Sequence, residues 1–171
     1  MLATQLTAYV ALAFFVSVMV LAAHKDAATL IISNRLVACL GVGYVPFALL
    51  SGLGLLNMGY ALATGVSMLL ISFLLFSFGL IGGGDAKFAA VTSVWLGPEG
   101  VLTFIAYTTL IGGVLALALL IFRTLPLPAF LNGHVWVRRM REPTNGIPYA
   151  LAMSPAALLT IPSTKWAALI A

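Results

Sequence analysis

The sequence predicts an all-α membrane protein: a polytopic bundle of about six transmembrane helices with its N-terminus outside. Three observations carry this expectation. Only 7% of the 171 residues are charged, against roughly 25% in a soluble domain. Apolar runs of helix length recur along the chain, with a mean hydropathy of +1.16. The basic residues fall in alternate loops rather than evenly. In lipid the backbone must satisfy its own polar groups, so apolar runs of this length are read as helices. The size fits one domain over residues 1–171.

Taken in order, residues 2–23 carry no charge and are long enough to cross roughly 30 Å of hydrocarbon. They lack a basic segment ahead of them, so they read as a retained helix rather than a leader. Residues 24–35 form the first polar loop, with Lys25, Asp26, Asn34 and Arg35. Residues 36–56 make the second span, with Gly41, Gly43 and Gly52 for close helix contact and Pro46 as a kink. Asn57-Met58-Gly59 reads as a turn and residues 60–80 as the third span, where Ser67, Ser72 and Ser77 are candidate interhelix donors.

The next stretch is Ile81-Gly82-Gly83-Gly84-Asp85-Ala86-Lys87. Three glycines bare the backbone, and Asp85 is a good N-cap for a short fourth helix over residues 86–96. Gly97-Pro98-Glu99-Gly100 is a turn, and residues 101–122 are a fifth span. Residues 123–146 are the longest polar segment and hold Arg123, Arg138, Arg139 and Arg141. Residues 147–161 form a short sixth apolar stretch broken by Pro148 and Pro155, and residues 162–171 an interfacial tail. Trp95, Trp136 and Trp166 read as interfacial anchors.

With six spans, one side receives Lys25, Arg35, Lys87, Arg123, Arg138, Arg139 and Arg141, and the other only Lys165. That asymmetry is a positive-inside signal, and it puts the first, third and fifth loops in the cytoplasm. The net charge of +4 is therefore a topology signal and not a nucleic-acid footprint. Cys39 is the only cysteine, which excludes an internal disulfide and a cysteine-cluster zinc site.

Only four acidic residues exist, and Asp26 and Asp85 both fall at cytoplasmic helix ends at similar depth. If folding brings them together, one proton is shared between two carboxyls. The ionised member can draw a proton from water while the protonated member polarises a carbonyl. Those are the residue types of aspartic peptide hydrolysis. His24 and His134 stand in loops without a GxSxG elbow, an HExxH pair or any ligand spacing, so no metal or other cofactor is expected. The residues alone leave two other classes open. Acids among broken helices also suit a small transporter or channel, and glycines that only pack helices suit a structural subunit.

The sequence resembles the type IV prepilin peptidases, the bacterial GxGD membrane aspartyl proteases. Gly82-Gly83-Gly84-Asp85-Ala86-Lys87 matches their GxGDxK signature. Asp26, followed by Ile32-Ser33-Asn34-Arg35, resembles their other motif, an Asp leading to Ile-Pro-Asn, with Ser33 in place of the proline. Trp95-Leu96-Gly97-Pro98 and Ile147-Pro148-Tyr149-Ala150-Leu151-Ala152 are similar to downstream family segments. A presenilin-type Pro-Ala-Leu motif is not matched by Pro155-Ala156-Ala157-Leu158.

The length is similar to the short branch serving tight-adherence (Flp-type) pili. Larger relatives carry an added cytoplasmic segment, often with paired cysteines; with a 12-residue first loop and no cysteine pair here, the resemblance implies peptidase activity without methyltransferase equipment. The resemblance implies catalysis by Asp26 and Asp85, with Gly82, Gly83, Gly84, Lys87 and Asn34 supporting the site or the substrate. It implies a location in the bacterial inner (cytoplasmic) membrane with the site facing the cytoplasm. The expected partners are the lipid bilayer and a prepilin that carries a short basic leader before a transmembrane helix.

Overall fold

The computed structural model describes residues 2–126, 134–142 and 146–170. Parts of the long polar segment, residues 127–133 and 143–145, lie outside the described residues. The described chain folds into helices alone, as an all-α membrane bundle. They are α1 (Leu2–Thr29), α2 (Asn34–Leu50), α3 (Leu55–Ser77), α4 (Gly83–Thr124), α5 (Val135–Arg141), α6 (Ala150–Thr160) and α7 (Lys165–Ile170), with a 3₁₀ turn at Ile161–Ser163.

Three helices, α1, α3 and α4, are long and apolar enough to cross a membrane. The apolar helices at Asn34–Leu50 and Ala150–Ser163 are shorter, so the count of six spans stays an expectation. Large apolar side chains stand exposed along the outside, Val42, Leu70, Leu102 and Val114 among them. A surface so apolar is matched to lipid and not to water.

Several boundaries differ from those expected, for local reasons. α1 runs on to Thr29 because Ala27 and Ala28 are good helix formers and nothing breaks the helix before Leu30. The first polar loop therefore shrinks to a few residues, and Asp26 lies within α1 rather than after it. α2 ends at Leu50, not 56, and the turn falls at residues 51–54 instead of at Asn57-Met58-Gly59. There Gly52 takes a φ of 73°, and the amides of Gly52 and Leu53 return to Leu49 and Ala48 carbonyls at 3.3 and 3.2 Å. That is a Schellman stop, which needs a left-handed residue that glycine supplies without a Cβ clash. The same motif closes α3 at Gly79, where Leu80 N–H donates to the Leu75 carbonyl at 3.0 Å.

α4 is two limbs. Gly97 breaks it with φ 66° and ψ −178°, and Pro98, which suits the first turn of a helix, opens the second limb. The chain reverses there. The Gly97 end lies beside Asn57 and Ala61, whereas Asp85 in the first limb and Thr109 and Gly112 in the second share one cavity at the other end. Ser72 of α3 donates to the Ala86 carbonyl at 3.2 Å. Gly65 lets α3 approach the first limb so closely that a Cβ would sit 2.2 Å from Val94 Cγ2.

The core contains an aromatic cluster. Trp95 and Trp166 are each 2% exposed and stack at 5.2 Å, with Tyr44 and Phe15 against Trp95 at 5.6 and 5.2 Å. Their indole N–H groups are satisfied inside the bundle, Trp95 by the Leu40 carbonyl and Trp166 by the Trp95 carbonyl, both at 2.9 Å. Neither is an interfacial anchor. Among the three tryptophans only Trp136 is exposed, and burial of Trp166 draws the expected interfacial tail back onto the bundle.

Candidate active site

The bundle has two chemically different ends. Lys165 pairs with Glu99 at 3.3 Å near the Gly97 reversal. At the opposite end a cleft of about 670 Å³ is lined by Asp26, Asp85, Asn34 and Lys87 with Gly82, Gly83 and Gly84. All seven residues singled out in the sequence thus line one cleft, and the two carboxylates are near enough for their charges to repel.

Asp85 is not the N-cap of its helix. Gly82 holds that position, and Asp85 is the third residue of the first turn. Its carboxylate reaches back to the Gly82 backbone N–H, which is half of a capping box. An added Cβ on Gly82 would lie 2.7 Å from Asp85 Oδ2, so the motif keeps that side bare to leave room for the carboxylate. A Cβ on Gly84 would meet Ile32 Cβ at 3.4 Å and the Ile32 backbone at 3.8 Å. Here the glycine lets the α1–α2 connection pack on the first turn of α4. Gly83 and Gly84 belong to that helical turn. The first-turn N–H groups have no intrahelical partner, which makes the turn an oriented set of donors.

The α1–α2 connection carries the next contact. Ser33, where the resembling motif has proline, caps α2 by accepting from Arg35 N–H at 3.2 Å. The cap fixes Asn34 at the first position of α2, and Lys87 Nζ donates to Asn34 Oδ1 at 3.3 Å. Asn34 therefore bridges to the glycine motif 53 residues away.

Asp26 is 3% exposed and is fixed from the far end of the sequence. Ala150 N–H donates to Asp26 Oδ2 at 2.8 Å, and the Leu151 amide also reaches the carboxylate. Both amides belong to the first turn of α6, whose positive dipole end favours a carboxylate. Buried Pro148 leads into that turn. Tyr149 packs against α4, 3.5 Å from where a Gly112 Cβ would stand. α5 holds the same end of α1 by its carbonyls: Trp136 Nε1 donates to Ala27 at 2.9 Å and an Arg139 guanidinium N–H to Ala28 at 2.8 Å. These contacts run through backbone atoms, and the sequence marks them only by the Ile147–Ala152 likeness and the arginine run. Among the described residues no three His, Cys, Asp or Glu side chains gather as a metal site.

A helical membrane bundle with two carboxylates and a helix's first turn on one cleft defines a class: membrane proteins equipped for proton-transfer chemistry. A profile of the type IV leader peptidase family matches residues 13–117, over half of the chain and inclusive of both aspartates. The chain belongs to the type IV leader peptidase family and is a membrane peptidase. No curated protein and no solved structure matches it. The elements that hold Asp26 from the C-terminal side, α5 and α6, lie beyond the matched stretch.

Proposed function

We propose that the protein is an aspartic endopeptidase that removes the short basic leader from Flp-like prepilins at the cytoplasmic face of the bacterial inner membrane. The observation that carries this reading is the placement of Asp26 and Asp85 on one cleft, each oriented by a backbone N–H. The ionised carboxylate takes a proton from water, and the water oxygen attacks the scissile carbonyl carbon. The protonated carboxyl gives its proton to the carbonyl oxygen. Collapse of the tetrahedral intermediate breaks the C–N bond as a proton passes to the leaving amine.

The first-turn N–H groups of α4 bind carbonyls of the substrate backbone, while Gly82 leaves room for the Asp85 carboxylate and Gly84 for the Ile32 connection beside them. Lys87 and Asn34 set the distance between the α1–α2 connection and that turn. The orientation is supported by charge: seven of the eight basic residues belong to the cleft end, with Lys165 at the other.

The experiment uses the purified protein in detergent, with no ion gradient, and a prepilin bearing its leader. Mass spectrometry should find one cut between leader and apolar helix. An intact prepilin, together with ion flux by the same protein in vesicles, would instead favour a transporter.

A further inference from the structure

Asp85 borders a second cavity as well as the cleft. This groove of about 420 Å³ lies between the C-terminal end of α3, the second limb of α4 and α6. Its walls include Leu75, Thr108, Gly112, Gly113, Ala116 and Met153. Among the described residues that line it, only Asp85, Tyr149 and two threonines are polar. Ile81, Asp85 and Tyr149 line both spaces, so the two meet at the carboxylate. Gly113 is exposed, with nothing within 4 Å of the position its Cβ would take. Leu110 and Val114, on either side of it in sequence, are 66% and 68% exposed. The groove therefore opens on the apolar outside of the bundle, where lipid would lie.

A cleft that mixes charged and apolar residues on one side of Asp85 and an almost wholly apolar groove on the other match a substrate that changes character at the cut bond. We infer that the groove seats the first turns of the prepilin's apolar helix, while the cleft takes the leader; this rests on the peptidase reading above. Small residues on the second limb allow an approaching helix backbone to come close. Ile81 and Tyr149 stand with Asp85 at the junction of the two spaces, which leaves the carboxylate reachable from both. The bond presented to the carboxylates is then the one at the polar–apolar boundary, and the position of the cut follows from the shape of the protein.

The test has two arms. In the first, a prepilin with one cysteine in the first two turns of its apolar helix is oxidised with Gly113→Cys in a Cys39→Ala background. The reference is the unaltered protein, whose Cys39 is exposed on α2 outside the groove. Disulfide capture should be several times stronger at position 113. Capture equal or stronger at Cys39 would overturn the inference. In the second arm, Gly113→Leu fills the groove. Cleavage of whole prepilin, relative to a soluble peptide spanning the same bond, should fall about tenfold, the size of one lost helix contact. Activity with an unmoved ratio removes the groove and leaves the peptidase reading standing. An unaltered protein that cuts neither substrate removes both.

Discussion

The two ends of this bundle are held by different forces. At the Gly97 end, Trp95, Trp166, Tyr44 and Phe15 interlock with little solvent exposure, and the Lys165–Glu99 ion pair there is partly exposed. At the other end, bare backbone and single hydrogen bonds surround an open cleft of about 670 Å³. Dense packing fixes the helices away from the cleft. That allows the cleft end to remain open, since its carboxylates are positioned by helices already anchored some distance away. Aromatic burial supplies stability at one end; N–H donors and missing Cβ atoms supply geometry at the other.

If that division is correct, substitutions at the two ends should fail in different ways. Trp95→Ala removes the centre of the aromatic cluster and should cost about 3–5 kcal/mol of stability. Thermal unfolding in detergent reads this, and the folded fraction should still bind prepilin with unchanged KM. An unaltered melting temperature would break the comparison. Gly82→Ala should do the opposite. Its new Cβ displaces the Asp85 carboxylate, and misplacement on that scale costs about 10²-fold in kcat, with the melting temperature nearly unmoved. A large loss of stability with normal kcat would show that the glycine serves packing and not the carboxylate.

The smallest effect is expected at α5. Trp136→Phe keeps the ring and deletes the bond to Ala27, worth about 1 kcal/mol. If α5 steadies Asp26, the loss appears in kcat with KM unchanged. If it appears only in stability, α5 is a structural brace.

Much of this was readable from the sequence because membrane helices announce themselves by length and apolarity. Gly97-Pro98-Glu99-Gly100 was legible as a turn, since glycine followed by proline ends one helix and starts another. The seven residues singled out by motif resemblance all line one cleft, because the motifs sit at helix ends that the fold gathers together. Single glycines inside apolar runs were not legible. Gly52 and Gly79 stop helices through backbone hydrogen bonds that leave no polar mark in the sequence, so the runs were read straight through them. Trp95 and Trp166 misled because an indole with one polar atom suits a membrane interface and a buried cluster equally, and only tertiary contacts decide. The anchoring of Asp26 was hidden for a related reason. Its partner is a main-chain N–H at Ala150, 124 residues away, and any residue but proline carries that group.

The most direct measurement is leader cleavage by Asp26→Asn, by Asp85→Asn and by the double variant, each first shown to be folded and inserted. A jointly acting pair predicts that either single change lowers kcat by about 10³-fold or more and that the double change adds little. A folded single variant that still processes prepilin at the unaltered rate would contradict the account.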